Sequence, residues 1–244
     1  VILDSKETKE KILAEFLKLC AFDGWNDNAL SQAISNCGID EKFSSLIFEN
    51  GCLDLIEFYI EHQNQKAAAE ILKIENFHQQ KIRDKISLAL YARFMVEENN
   101  KIALQRLINF YLDPKNFIKL EIGAKPMIKG LKSCYKVSDF IWKSINDQST
   151  DFNFYTKRLT LAKIILRSLP VFIKDVSQNS SQTKNFIDSE IEKVMKFEKF
   201  KARVKKFSGS GKKIFSEFFC DEKGAPKSPK EIIKNLPFFR LLKK

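Results

Sequence analysis

Glycine and proline are scarce in this chain of 244 residues, at 8 and 6, while 44% of its residues are hydrophobic. That composition excludes a collagen-like or low-complexity disordered chain and suits a helical one long enough to bury a core. Histidine is almost missing: His62 and His78 stand 16 residues apart on different expected helices and read as surface or cap residues. There is no glycine-rich phosphate loop after a strand, no Gly-x-Ser-x-Gly, and no pair of the Glu-x-x-His motifs that build a di-iron bundle. Gly209-Ser-Gly-Lys212 lacks the strand and the full spacing of a phosphate cradle and reads as a flexible joint. A non-catalytic protein with no cofactor and no metal is therefore the economical expectation. No apolar run approaches the roughly 18 residues of a spanning helix, and the most apolar stretch, Ile164 to Ile173, is interrupted by Arg167 and Pro170. No secretory signal is recognisable at the start. Cys20, Cys37, Cys52, Cys134 and Cys220 are odd in number and far apart, so they read as buried thiols of a reducing compartment. The carboxylate pairs Asp40-Glu41, Glu97-Glu98 and Asp221-Glu222 fall near expected helix ends or loops and read as complements of the helix dipole.

Excess charge is also missing from most of the chain. Residues 1–192 hold 26 basic and 26 acidic residues, whereas residues 193–244 hold 16 Lys and Arg against 5 Asp and Glu, the whole net charge of +11. That distribution speaks against a basic body wrapped by nucleic acid and for an electrostatic device at one end.

What is present is helical periodicity, with no sustained alternation of two. A first helix is expected from about Ser5 to Cys20, with Ile12, Leu13, Phe16, Leu19 and Cys20 on one stripe, stopping at Asp23-Gly24. Asn26 or Asp27 can cap a second, which Gly38 closes, and Asp40 can cap a short third. A long fourth helix runs from about Leu53 to Lys73, a fifth carries Ile82, Ile86, Leu90 and Phe94, and a sixth spans about Lys101 to Leu112. Residues 115–146 read as one long helix or a broken pair, because Gly123, Pro126 and Gly130 interrupt the pattern. Further helices are expected from about Asn153 to Leu169 and over residues 182–205, separated by a polar loop at Gln178–Gln182.

Three short helices ahead of a larger helical body resemble the layout of a tetracycline-repressor-like protein, with a helix-turn-helix in front. Duplex DNA is held by neutralising its phosphates, yet residues 1–50 carry 5 Lys against 9 Asp and Glu, a net of −4. The would-be recognition helix has Asp40, Glu41 and Glu49 around a single Lys42, and no Arg, Asn or Gln inside it to read bases. A helix-turn-helix kept for packing, with no nucleic acid partner, is the preferred reading. A tetracycline-repressor-type transcriptional regulator with a lipid ligand is the alternative.

Asp147-Gln-Ser-Thr-Asp-Phe-Asn-Phe-Tyr-Thr-Lys-Arg158 is the most distinctive stretch. Ser149, Thr150 or Asp151 can each cap the helix that follows. Phe152, Phe154 and Tyr155 are too closely spaced to face one core together, so either one aromatic points outward as a partner contact or one is incidental. Together with Phe22-Asp-Gly-Trp25 and Val194-Met-Lys-Phe-Glu-Lys199, this stretch is similar to the coenzyme Q (ubiquinone) biosynthesis accessory family, over roughly residues 6–205. The resemblance implies an all-α, tetracycline-repressor-like bundle that binds lipid, forms a homodimer and assists a ubiquinone-pathway hydroxylase. By position, Asp151, Phe154, Tyr155 and Arg158 would form the surface patch that meets the hydroxylase. The family usually has Trp where this chain has Phe154, which loses the indole N–H and some contact area.

The last stretch of note is basic and rich in Phe. Phe197, Phe200, Val204 and Phe207 recur at spacings of three and four, and the stripe resumes at Ile214, Phe215, Phe218 and Phe219 beyond two glycines. Residues 193–219 hold 9 Lys and Arg against 2 Glu, the composition of a helix lying in a lipid headgroup layer. The plainer reading is a packed helix with a solvated lysine face. The expectations are thus a helix-turn-helix subdomain over residues 1–50, a lipid-binding and dimerising body over 51–205 and an amphipathic membrane-associating tail over 206–244. In the tail, Phe207, Lys212, Lys213, Ile214, Phe215, Phe218 and Phe219 would meet the membrane. A pocket for an isoprenoid quinone or phospholipid would be lined by Ile56, Tyr59, Ile60, Ile86, Leu90, Phe94, Trp142, Leu161 and Ile165. The expected place is peripheral, on the inner face of a bacterial inner membrane or the matrix side of the mitochondrial one.

Overall fold

The computed structural model describes residues 5–113, 125–150 and 152–207, which fold into helices and connecting turns with no strand among them. The first helix, α1 (Lys6–Asp23), starts where the Ser5 hydroxyl accepts a hydrogen bond from the Thr8 N–H at 3.2 Å. It stops at Gly24, whose φ of +76° turns the chain while its N–H closes on the Cys20 carbonyl. Ile12, Leu13, Phe16 and Cys20 form the buried stripe, and Leu19 is only half-buried.

Asn26 caps α2 (Asp27–Asn36), accepting from the Ala29 N–H at 2.9 Å. Asp27 instead reaches forward to accept the Cys52 N–H at 2.8 Å and so ties α2 to the start of α4. Asp40 caps a single 3-10 turn, after which α3 spans only Ser44–Ile47. The body consists of α4 (Cys52–Leu72), α5 (Ile82–Met95), α6 (Lys101–Leu112), α7 (Lys125–Ser144), α8 (Phe152–Lys174) and α9 (Ser181–Phe207).

One open reading narrows, and one boundary differs from that expected. From Lys125 onward α7 is one unbroken helix that contains both Pro126 and Gly130. Gly130 inside α7 is a packing residue, since a Cβ there would lie 3.1 Å from the Tyr111 ring. Helix α8 does not end at Leu169 but runs through Pro170 to Lys174. Leu166 and Pro170 are both exposed, so water can bond the Leu166 carbonyl that the proline leaves unpaired.

One continuous apolar core joins the front helices to the body. Trp25 forms the junction. Its ring packs 4.9 Å from Phe16 and 5.2 Å from Tyr59, and its Nε1–H donates to the Ala103 carbonyl at 2.9 Å. Within the body, α7 lies on α8, α8 on α9, and α5 packs between α4 and α9. No helix among the described residues is long and apolar enough to cross a membrane.

Candidate functional site

Helices α4 to α8 enclose an apolar cavity of about 480 Å³. The exposure of its lining distinguishes a floor from a mouth. Tyr59 and Ile60 of α4, Leu90, Arg93 and Phe94 of α5, and Cys134 and Val137 of α7 are buried. Gln105, Asn109 and Leu112 of α6, with Leu166, Pro170 and Lys174 of α8, are exposed. The opening therefore lies between α6 and α8, and the floor lies against α4 and α5.

The floor carries a buried polar cluster. Arg93 Nη1 donates to Glu97 Oε1 at 2.8 Å and Arg93 Nε to Asn64 Oδ1 at 2.9 Å. The other Glu97 oxygen accepts from Gln63 Nε2 at 2.7 Å and from the Tyr59 hydroxyl. Arg93 is 7% exposed and Glu97 1%, so this is a buried ion pair with its remaining valences largely filled by hydrogen bonds. Burial raises the Tyr59 phenol well above its ordinary value, and the neighbouring Glu97 charge adds to the effect. Burial likewise pushes the Cys134 thiol up to about 12. Glu97 is thus no complement of a helix dipole; it lies past the C-terminal end of α5, where Arg93 holds it inside the fold.

Of the residues expected to line a pocket, Tyr59, Ile60, Leu90, Phe94 and Ile165 do so. Ile56 and Leu161 lie in the packed core, Ile86 packs half-buried against it, and Trp142 is buried with its Nε1–H unpartnered. Sequence reasoning missed Arg93, Glu97 and the whole α6 wall. The available signal was register: Leu90, Arg93, Phe94 and Glu97 recur at three and four, which places Arg93 on the core face of α5 and Glu97 in line with that face just beyond the helix end.

The aromatic stretch forms a second feature, at the start of α8. Phe154 and Tyr155 are half-buried and meet edge-on, with ring centroids 5.1 Å apart. Arg158 is not on the surface beside them, as expected, but 1% exposed behind them. Its guanidinium lies 3.4 Å from the centre of the Phe154 ring, its Nε donates to Asp139 Oδ1 at 2.5 Å, and its Nη1 donates to Asp147 Oδ2 at 3.2 Å. The reason is charge: two carboxylates, one from α7 and one from the α7–α8 turn, converge beneath the ring, and the internal Arg158 bonds both, alongside Lys143 on Asp139 and Lys157 on Asp147. Burial pushes both carboxyls up, but hydrogen bonds outweigh it and hold them below their ordinary values. Lys143 and Arg158 supply those bonds on Asp139, and Lys157, Ser149 and Arg158 on Asp147. Asp151 lies outside the described residues.

The expected membrane contacts are outside them too: Lys212, Lys213, Ile214, Phe215, Phe218 and Phe219 entirely, and Phe207 in its side chain. Of that stripe, Phe197 is 61% exposed on α9. Among the described cysteines, Cys20, Cys52 and Cys134 are buried and Cys37 is half-buried, all as free thiols. No group of three or more His, Cys, Asp or Glu among the described residues is placed to hold a metal ion.

The chain is similar to a solved tetracycline-repressor-type transcriptional regulator from Nitrosomonas europaea, with a TM-score of 0.58 at 13% identity, covering 77% of this chain and 97% of that one. At that identity the likeness concerns the fold alone. Among curated relatives, a probable ubiquinone biosynthesis protein coq9 of Dictyostelium discoideum, named as mitochondrial, is 25% identical over 208 residues, 83% of this chain and 64% of that one. The mitochondrial ubiquinone biosynthesis proteins COQ9 of Bos taurus and Homo sapiens are 23% and 22% identical, each over 78% of this chain and 58% of their own length. The chain thus spans just under two thirds of the length of these relatives. Residues 127–198 match the COQ9 family model, which takes in nearly all of α7, the whole of α8 and most of α9. Over the helices that carry Phe154, Arg158 and one wall of the cavity, on a tetracycline-repressor-like fold, this chain is thus similar to the COQ9 family.

Proposed function

We propose that the chain is a non-catalytic, lipid-binding accessory protein of ubiquinone biosynthesis, which takes up an isoprenoid quinone intermediate at a membrane and presents it to a partner hydroxylase. The cavity carries this reading. Each methylene moved out of water is worth about 0.8 kcal/mol, so a polyprenyl chain leaves a bilayer only for a sheltered apolar space, and the cavity of about 480 Å³ lined by α4 to α8, open between α6 and α8, offers one. The names of the relatives, which refer to ubiquinone biosynthesis, favour an isoprenoid quinone as the cargo class. The absence of a catalytic role is supported by the cavity's own groups: the acid and base on its floor neutralise each other, and the Cys134 thiol stays protonated.

Phe154 and Tyr155 are the proposed partner contact, an aromatic pair held rigid from behind and thus inexpensive to dock against. The basic, Phe-rich segment from Lys193 onward is the proposed membrane contact, on the matrix side of a mitochondrial inner membrane or the inner face of a bacterial one. Two copies would associate as a homodimer. Nucleic acid is not a proposed partner, because a four-residue α3 in an acidic subdomain offers neither the length nor the charge to enter a major groove.

The deciding experiment is organic extraction of the purified protein followed by mass spectrometry. An isoprenoid or phospholipid is expected, and an empty extract overturns the reading. Flotation with anionic liposomes tests the membrane arm, with loss of binding expected when the chain is truncated after Phe207. Phe154→Ala is expected to weaken co-purification with the hydroxylase while the helical circular dichroism spectrum is retained; normal recovery would sink the contact.

A further inference from the structure

The floor of the cavity is not inert. Arg93 spends Nε on Asn64 and Nη1 on Glu97, while its Nη2 takes part in no hydrogen bond among the described residues, although Arg93 lines the cavity and is 7% exposed. Both oxygens of Glu97 are occupied, one by Arg93 and the other by Tyr59 and Gln63. The cluster therefore holds one positive and one negative charge, closely paired, and still offers a guanidinium donor to whatever fills the cavity. A hydrocarbon end pressed against this floor would strip water from that donor and replace it with nothing. An anionic head would accept the donor but bring a second negative charge beside Glu97 with no second cation among the floor residues. A neutral oxygen acceptor satisfies the donor and leaves the charge balance untouched.

We infer that Arg93 is a specificity-determining residue: it receives a neutral oxygen of the ligand, a ring carbonyl or ether, so that an amphiphile enters head first and its apolar tail extends toward the α6–α8 mouth. The inference rests on the proposal that the cavity takes an isoprenoid lipid. It adds the polarity of the accepted head and the direction in which the ligand lies. The oxygenated ring is shielded while the protein holds it. Presentation to a partner then requires the ligand to leave through the mouth, because a site that reaches only the cavity entrance would meet the tail.

The test uses the full chain and displacement of the neutral dye Nile red by three probes: a ubiquinone with two isoprene units, the oxygen-free branched alkane phytane, and palmitate. The quinone is expected to bind more tightly than palmitate, by ~10-fold or more, a factor that corresponds to 1.4 kcal/mol. Arg93→Lys keeps a cation for Glu97 but loses the second arm of the fork. The pair Arg93→Met with Glu97→Gln removes both charges, and a glutamine can still accept from Tyr59 and Gln63. Both variants are expected to lose about tenfold for the quinone and little for phytane. Reduction of bound quinone by dithionite is expected to be slower than in micelles by a similar factor. Palmitate binding as tightly as the quinone, unchanged quinone affinity in a folded variant, or bound quinone reduced as fast as in micelles would each overturn the inference. Phytane and quinone binding alike would remove it and leave a lipid cavity, whereas no displacement by any probe would remove both. The probe comparison and the dithionite rate need only the unaltered chain, so the inference stays open to refutation even if the variants do not fold.

Discussion

Replacing Arg158 with methionine tests whether a residue of the distinctive aromatic stretch acts from inside the fold. The side chain is 1% exposed and joins Asp139 of α7, Asp147 of the following turn and the face of Phe154. Removing one partner of a buried ion pair costs roughly 3–5 kcal/mol. Both carboxylates keep other cations here: Asp139 is 23% exposed and holds Lys143 at 2.7 Å, and Asp147 holds Lys157 at 2.7 Å. The expected loss is therefore at the low end, about 3 kcal/mol, which lowers Tm by about 6–12 °C in a chain of this size. Circular dichroism melts with urea unfolding measure it. The pH dependence supplies a second check. The two carboxyls are depressed in the folded state, so they stabilise the fold above the ordinary aspartate value of about 4, and that stabilisation disappears as pH falls through their folded values. The gap between wild type and Arg158→Met should thus be widest near neutral pH and shrink in acid. A variant melting within about 2 °C of wild type, under 1 kcal/mol, would refute the internal role. Arg158→Glu is expected to be worse than Arg158→Met, since it places a third carboxylate in the same pocket, so it is no clean test of partner binding.

Three further outcomes follow from other parts of the fold. Gly51→Ala should destabilise by about 2 kcal/mol or more, because φ there is +58° and the new Cβ would lie 2.4 Å from the Asp27 oxygen that receives the Cys52 N–H; urea unfolding reads the change. Trp25→Phe removes the donor to the Ala103 carbonyl and should cost about 1–3 kcal/mol, with native-state hydrogen exchange rising where α1 and α6 meet. Maleimide at pH 8 should modify half-buried Cys37 ahead of Cys20, whose thiol burial raises to about 11, and ahead of Cys134, raised to about 12; peptide mapping gives the order. Modification of Cys134 first would mean that the cavity floor is open to water.

The helices of this protein, and which face of each turns inward, were determined by the sequence alone. Helical periodicity is local, and so are the caps at Ser5, Asn26 and Asp40 and the stop at Gly24. The acidic front and the basic end were equally legible, because net charge is a sum that needs no coordinates. The fates of Arg93, Glu97 and Arg158 were decided only by the tertiary structure. A charged residue on a helix reads as solvated until a partner from another element appears, and the partners of Arg158 lie 19 and 11 residues away. The cavity is likewise a property of five helices at once. The spacing along α4 and α5 marks Tyr59, Ile60, Leu90 and Phe94 as inward, but not whether they meet side chains or space. Long-range packing makes that choice: Ile56 and Leu161 were filled in, while Tyr59 and Leu90 were left facing an opening.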